Sequence, residues 1–391
     1  MDPRDYEGRE QALIKHYVLQ HYLERLAFKV GGFRSGTTLN YIDGFSGPWD
    51  AVASDGGDCS PAIAMTNLAR ARDTLAALPT PKPMRVRCMF VEQDAAAFTR
   101  LEKLCASCTS VEVATLPGTF EANVPAAVRF AESGPHPFAF VFIDPKGWTG
   151  YPLQAITPLL QVKRVEVLIN FMIKDILRFI DHETSVALAS FEDLFGQRSE
   201  EYRRAWASQI GLDREDAIVS AYCARVRERG NFQHCVSTIV LNPLVDRTHY
   251  HLVYATHSRV GLVTFREVER AAMIQQKSVR AAAKQTKRTT KTLQREMFAA
   301  EEMDSNYLAT LSRRYTTLAQ AAVRARLAAT ERDVSYESLI DAALAFPMSS
   351  ETDLKAWIRE WKAAGSVEAV GPRSGDRTPK LNGGHLFRGA R

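Results

Sequence analysis

Five short apolar segments alternate with helix-patterned stretches in the first half of the chain. This alternation constrains the fold more than any other feature. The segments are residues 38–42, "VRCMFVE" ending at Glu92, "VEVATLP", "FAFVFIDP" carrying Asp144, and "VEVLINF" ending at Phe171. Each is short and predominantly apolar, as in strands covered on both faces. Residues 11–28 read as an amphipathic helix, with Leu13, Ile14, Tyr17, Val18, Tyr22, Leu23 and Leu26 on its apolar side. A second helix is predicted to open with Ser60 as its cap and Pro61 at its first position. Strand–helix–strand units of this kind predict a parallel sheet covered on both faces. A long helical region over residues 173–229 comes next, then two strands, "CVSTIVLNP" and "THYHLVYATHS". Too few residues separate these two for a crossover helix, so they are expected as an antiparallel pair at the sheet's edge.

Beyond about residue 258 no strand pattern continues, and the chain becomes rich in Ala, Lys and Arg. Residues 334–391 then give helix, turn, helix and a short hairpin, the order of a winged helix. Ser350 and Asp353 form an expected capping box at the second of these helices. The predicted organisation is therefore an α/β domain over 1–260, a basic helical linker over 261–333 and a winged-helix-like domain over 334–391. A doubly wound sheet of five parallel strands closed by an antiparallel pair resembles that of the class I, S-adenosylmethionine-dependent methyltransferases.

The 391 residues suffice for one large core and a smaller second one. No apolar run reaches the length of a membrane span, and the charged N-terminus lacks the apolar stretch of a signal peptide. These features predict a cytoplasmic protein. The six cysteines do not suggest a disulfide scaffold. Cys105 and Cys108 form a C-x-x-C without a second pair at metal-binding spacing, so reduced thiols and no metal are expected. The net charge of +5 is unevenly spread. Residues 277–295 hold seven basic residues, Lys277, Arg280, Lys284, Lys287, Arg288, Lys291 and Arg295, and no acidic one. The last 21 residues hold five Lys or Arg against one Asp. Such clusters face phosphates or form a solvated helix face and a tail.

In an open α/β sheet, ligands bind beyond the carboxyl ends of the strands, near the point where strand order reverses. Asp43 closes the first strand there, and Gly44-Phe45-Ser46-Gly47 makes a turn that lets backbone approach a ligand. Glu92 closes the second strand, where a carboxylate can accept both hydroxyls of a ribose, with Gln93 beside it. Asp144-Pro145-Lys146 closes the fourth strand, at the reacting end of such a site. Asn170-Phe171 ends the fifth, either as a polar–aromatic pair on the same rim or as a strand end packed on a helix. Lys15 lies on the first helix, which could cross over the site, and Lys174 and Asp175 open the helix after the fifth strand.

"YIDGFSG" with "SPAIA", then "FVEQD" and "FIDPKGW", resembles the three-Cys-motif partner proteins, a bacterial group of predicted methyltransferases with a C-terminal winged-helix-like domain. The "DGFSG" turn is also similar to that of DNA cytosine methyltransferases. The order of motifs is similar to that of ribosomal RNA adenine-N6 methyltransferases. The resemblance implies that Asp43 and Gly47 hold the cofactor turn, Glu92 the ribose and Asp144 the catalytic motif. It also implies a Cys-motif protein partner. The chain departs from the adenine-N6 motif, with Lys146-Gly147 after Pro145 and the aromatic Trp148 one place later. It also lacks a Pro-Cys pair after the fourth strand, which disfavours a cysteine nucleophile.

The expected function is S-adenosylmethionine-dependent methylation of RNA or DNA, at a base amine. Asp144, Pro145, Lys146 and Asn170 would form the catalytic end, and the basic region would grip phosphates. The alternatives are a catalytically degenerate methyltransferase fold that binds nucleic acid or a partner, and a small-molecule methyltransferase.

Overall fold

The computed structural model describes residues 3–47, 58–204, 206–292, 306–329, 332–371 and 378–389. A single 3-10 turn (Pro3–Tyr6) and α1 (Glu10–Phe33) lead into β1 (Thr37–Asp43). Then follow α2 (Ser60–Ala76), β2 (Met84–Glu92), α3 (Ala95–Ala106), β3 (Glu112–Pro117), α4 (Phe120–Ala131), β4 (Pro137–Ile143), α5 (Leu153–Leu160) and β5 (Val165–Phe171). The region expected as one long helical stretch is four helices: α6 (Ile173–Phe179), α7 (Ser185–Phe195), α8 (Ser199–Arg204) and α9 (Gly211–Gly230). Gly196, in the left-handed region at φ 58°, ends α7, and Gly211 at φ 57° begins α9. β6 (His234–Leu241) and β7 (Thr248–Thr256) complete the sheet.

The sheet order is β3-β2-β1-β4-β5-β7-β6. The first five strands are parallel, while β7 runs antiparallel to both β5 and β6. The antiparallel pair is therefore present, with β7 inserted next to β5 and β6 at the edge. β1 and β5 are buried along their whole length, including the polar Asn40 and Glu166 that interrupt their apolar runs. In β4, Phe140 and Phe142 face one core, shared with α1, α2 and the segment after β7. Ala139, Val141 and Ile143 face the other, shared with α4, α5, α7 and α9. The period of two along each strand thus builds a helix layer on each side.

After β7 come α10 (Arg259–Thr292), α11 (Tyr307–Ala328), β8 (Val334–Ser335), α12 (Tyr336–Ala343), α13 (Glu351–Ala363), β9 (Val367–Gly371) and β10 (Leu386–Gly389). The last three strands form an antiparallel sheet, β8-β10-β9. Ser350 and Asp353 make the capping box at α13. The segment expected as a basic linker is a core helix in its first half. Leu262, Phe265, Val268, Ala272 and Val279 recur at helical spacing and join the sheet's core. Arg266 ties three parts together. Its Nε donates to the Leu344 carbonyl (3.0 Å), and its Nη1 donates to the Ser237 carbonyl (2.8 Å) and to Glu269 Oε2 (2.7 Å). Glu269 Oε1 in turn accepts the Met348 N–H at 3.1 Å.

No helix of the described residues is long and apolar enough to cross a membrane. Among those residues all six cysteines are free, and no group of His, Cys, Asp or Glu could hold a metal.

Candidate functional site

Strand order reverses between β1 and β4, and a cleft of about 750 Å³ opens at their carboxyl ends. Gly44, Phe45, Gly47, Glu92, Gln93, Asp144, Pro145, Lys146 and Asn170 all line it. Residues from the ends of β1, β2, β4 and β5 therefore converge as the topology predicts.

Within this rim the residues divide into those that shape the turn and those that face the cavity. Asp43 is fully buried and shapes the turn. Its Oδ1 accepts the Phe45 N–H (3.0 Å), and its Oδ2 accepts the hydroxyls of Ser60 (2.7 Å) and Tyr41 (3.4 Å). Ser60 is thus not the cap of α2: Cys59 occupies that position, and the Ser60 hydroxyl crosses to β1 instead. Ser46 is also buried, with its Oγ bonded to the Asp43 carbonyl and the Val91 N–H, which staples the turn to β2. Gly44 has no room for a Cβ, which would meet the Phe120 ring at 2.8 Å.

Burial pushes the Asp43 carboxyl up to about 6, against the hydrogen bonds from Ser60 and Phe45. A raised acid makes the folded state the stronger proton binder. Its contribution to stability is full below about 3.8 and is lost as pH rises through about 6. The loss amounts to about 3 kcal/mol. Asp43→Asn keeps the shape but does not titrate. Its stability relative to the wild type is therefore expected to rise between pH 4 and pH 6 and to level off above that, in urea unfolding measured across pH. A parallel pH dependence in the two proteins would contradict this assignment.

Glu92 faces the cavity at 2% exposure, and its Oε1 accepts the Asp94 N–H at 2.6 Å. Burial raises its carboxyl above the ordinary range. Asp94 caps α3 by accepting the Ala97 N–H (2.8 Å). Asp144 Oδ2 pairs with Lys15 Nζ at 2.5 Å, and its Oδ1 accepts from Asn170 Nδ2 at 2.6 Å. Asn170 is 3% exposed, and its Oδ1 has no hydrogen-bond partner among the described residues.

Trp148, one place removed from the aromatic of the adenine-N6 motif, lies away from the cleft as that displacement implies: it stacks on Phe191 (5.3 Å), and its Nε1 donates to Ser190. The structure corrects several sequence expectations. Phe171 is a core residue stacked on Tyr222 at 4.4 Å, so the Asn170-Phe171 pair splits between cleft and core. Arg280 is not a free cation. It is 2% exposed, and its guanidinium binds the carbonyls of Asn242 and Val245 and the carboxylate of Asp246. Lys284 pairs with the same Asp246 at 3.1 Å. Lys287 and Arg288 are exposed on α10, and Lys277 lines a separate cavity of about 430 Å³ between α10, α11 and α13. Lys291 lies on α10 with its side chain outside the described residues, and Arg295, Pro48 and Trp49 fall outside them altogether.

Sequence reasoning missed part of the cleft wall. Beside Lys15, which lies on the helix expected to cross over the site, α1 contributes Gln11, Ala12 and His16, and β7 contributes His249 and Tyr250. The Tyr250 hydroxyl donates to the Gln11 carbonyl, fixing α1 across the rim. Burial, with the nearby cations Lys174, Arg247 and Lys15, pushes His249 down to about 4. His249 and Tyr250 carry no local signal, because β7 reaches this rim only by running antiparallel to β5.

No family model matches the chain, and no curated protein does. The resemblance to three-Cys-motif partner proteins rests on the quoted motifs alone. Among solved structures, a loganic acid methyltransferase with SAH aligns at 10% identity and a TM-score of 0.32, covering 80% of this chain and 91% of its own. SCL7 of Oryza sativa aligns at 12% identity and a TM-score of 0.27, covering 62% of this chain and 78% of its own. Likenesses this distant carry no argument, so the fold assignment rests on strand order and direction within this chain. Five parallel strands in the order 3-2-1-4-5, followed by an antiparallel β7 between β5 and β6, give the chain the class I methyltransferase fold.

Proposed function

We propose that the chain is an S-adenosylmethionine-dependent methyltransferase that acts on nucleic acid at a base amine. One observation carries this reading: Glu92, Asp144 and Asn170 converge on a single cleft at the point where the strand order reverses. The donor set fits the cofactor. A ribose diol offers two O–H donors, and Glu92 is a buried acceptor facing the cavity. The cleft's volume lies within the range for small-ligand sites.

When bound, the cofactor supplies an electrophilic methyl group. The chain's part is to place a nucleophile in line with it and keep water out. A carboxylate has about four lone-pair sites. Asp144 uses two of them, for Lys15 and Asn170, and keeps capacity to accept from an amine. Asn170 Oδ1 is a second acceptor, without a partner among the described residues. The helix–helix–hairpin order of α12, α13, β9 and β10, with exposed basic residues on α10, supports a nucleic-acid substrate.

The second reading, a methyltransferase fold retained for binding, draws support from the Lys15 ion pair that occupies the Asp144 carboxylate. Calorimetric titration with S-adenosylmethionine tests the first requirement. Binding is expected, and Glu92→Ala should weaken it by about 1–3 kcal/mol, the range for losing charge-assisted hydrogen bonds. An absence of heat at millimolar ligand would overturn the enzyme reading.

A further inference from the structure

One end of the cleft has no role in the reading above. Beside the Gly44–Gly47 turn it is walled by Arg9, from just before α1, and Asp58, from just before α2. The two side chains are joined by an ion pair, Arg9 Nη2 to Asp58 Oδ2 at 2.5 Å. The Asp58 side chain is only 2% exposed.

The guanidinium is held in place from several sides. It lies over the Tyr6 ring, 5.5 Å from the centroid, and Nη2 also donates to the Asp5 carbonyl at 2.7 Å. Tyr6 is itself fixed, buried and hydrogen-bonded to His16 Nδ1 at 3.0 Å. Both Arg9 hydrogen bonds to described residues use Nη2, and Arg9 lines the cleft, so the N–H groups of Nη1 and Nε remain as donors among the described residues. A cation oriented in advance by its neighbours loses little freedom on binding an anion. A buried carboxylate beside it places the opposite charge within one side chain's reach.

Such a pair is complementary to a zwitterion, in which a carboxylate and an ammonium share one carbon. We infer that Arg9 and Asp58 form the subsite for the amino-acid end of the cofactor, with Arg9 taking the carboxylate and Asp58 the ammonium. This rests on the cofactor reading given above. The four charges then alternate in sign, so each buried charge faces two of the opposite kind. A purely structural pair would instead latch the segment before α1 to the segment before α2.

The test compares two ligands by calorimetry. S-adenosylhomocysteine carries the amino-acid end; methylthioadenosine has the same nucleoside thioether without it. The wild type is expected to bind S-adenosylhomocysteine at least about tenfold more tightly. Arg9→Gln and Asp58→Asn should each remove about tenfold of affinity for S-adenosylhomocysteine and leave methylthioadenosine within about twofold. Glu92→Gln should weaken both. If Arg9→Gln fails to fold, the shape-preserving Asp58→Asn carries the comparison. Equal loss for both ligands in the Arg9 and Asp58 variants would overturn the proposal and leave a latch, and so would a wild type that binds the two ligands alike. A wild type that binds neither ligand, while melting cooperatively, would sink the cofactor reading and the subsite with it.

Discussion

Asp144→Ala is expected to slow methyl transfer by about a hundredfold or more and to leave cofactor affinity within a few-fold, the pattern for losing a positioned catalytic group. The separation follows from position. Asp144 directly follows β4, which lies two strands along the sheet from β2, where Glu92 sits. The substitution removes the acceptor for a target amine and also releases Lys15 and Asn170, which both bond to that carboxylate. Lys15→Met separates the two effects: it keeps the carboxylate and removes only the ion pair. A smaller loss than in Asp144→Ala assigns Lys15 to positioning. The measurement pairs cofactor titration with methyl transfer to total bacterial RNA and DNA. If Asp144→Ala transfers as fast as the wild type, the carboxylate is only a tie between α1 and β5. If every protein binds the cofactor and none transfers, the binding-protein reading moves ahead.

Arg266→Ala is expected to destabilise the fold by about 3–5 kcal/mol, the range for breaking a buried ion pair from one side. The Arg266 and Glu269 side chains are 0% and 1% exposed. Removing the guanidinium strands the Glu269 carboxylate with the Met348 N–H, and the carbonyls of Leu344 and Ser237 lose their Arg266 donor. Replacing the pair together, Arg266→Met with Glu269→Leu, should recover only part of the loss: no charge is left stranded, but the Leu344 and Ser237 carbonyls and the Met348 N–H still lose their side-chain partners. The Arg266 Nη2 atom has no partner among the described residues, which already weakens the native arrangement. Urea unfolding followed by tryptophan fluorescence checks both variants. A loss below about 1 kcal/mol in Arg266→Ala would mean that water reaches the carboxylate.

How far the sequence reaches depends on whether a feature is local. The sheet was legible because its strands are short, rich in β-branched and aromatic residues and separated by helical stretches, although buried polar residues such as Asn40 and Glu166 interrupt β1 and β5. Asp43, Glu92 and Asp144 were legible as a group because each closes a parallel strand, and the rule for open sheets brings such ends together. Lys15 is 129 positions from Asp144, and nothing in its own helix marks it as that carboxylate's partner. Arg9 and Asp58 are hidden in the same way, 49 positions apart. Arg280 misled in the opposite direction. A charge run does not reveal that the loop after β6 offers two carbonyls and a carboxylate to one of its members.

The hydrogen bond from Tyr250 to Gln11 joins two residues 239 positions apart, and both line the cleft. That distance is also a delay. A ribosome adding 5–20 residues per second needs roughly 12–50 s to make the intervening chain. During this time β1 to β5 can pair as they emerge, but the wall that α1 and β7 make together does not exist. A chain still under synthesis would hold the turn and Glu92 well before it could close the cavity around a ligand. Any ligand that needs the whole cleft would therefore meet a complete site only once β7 has joined the sheet.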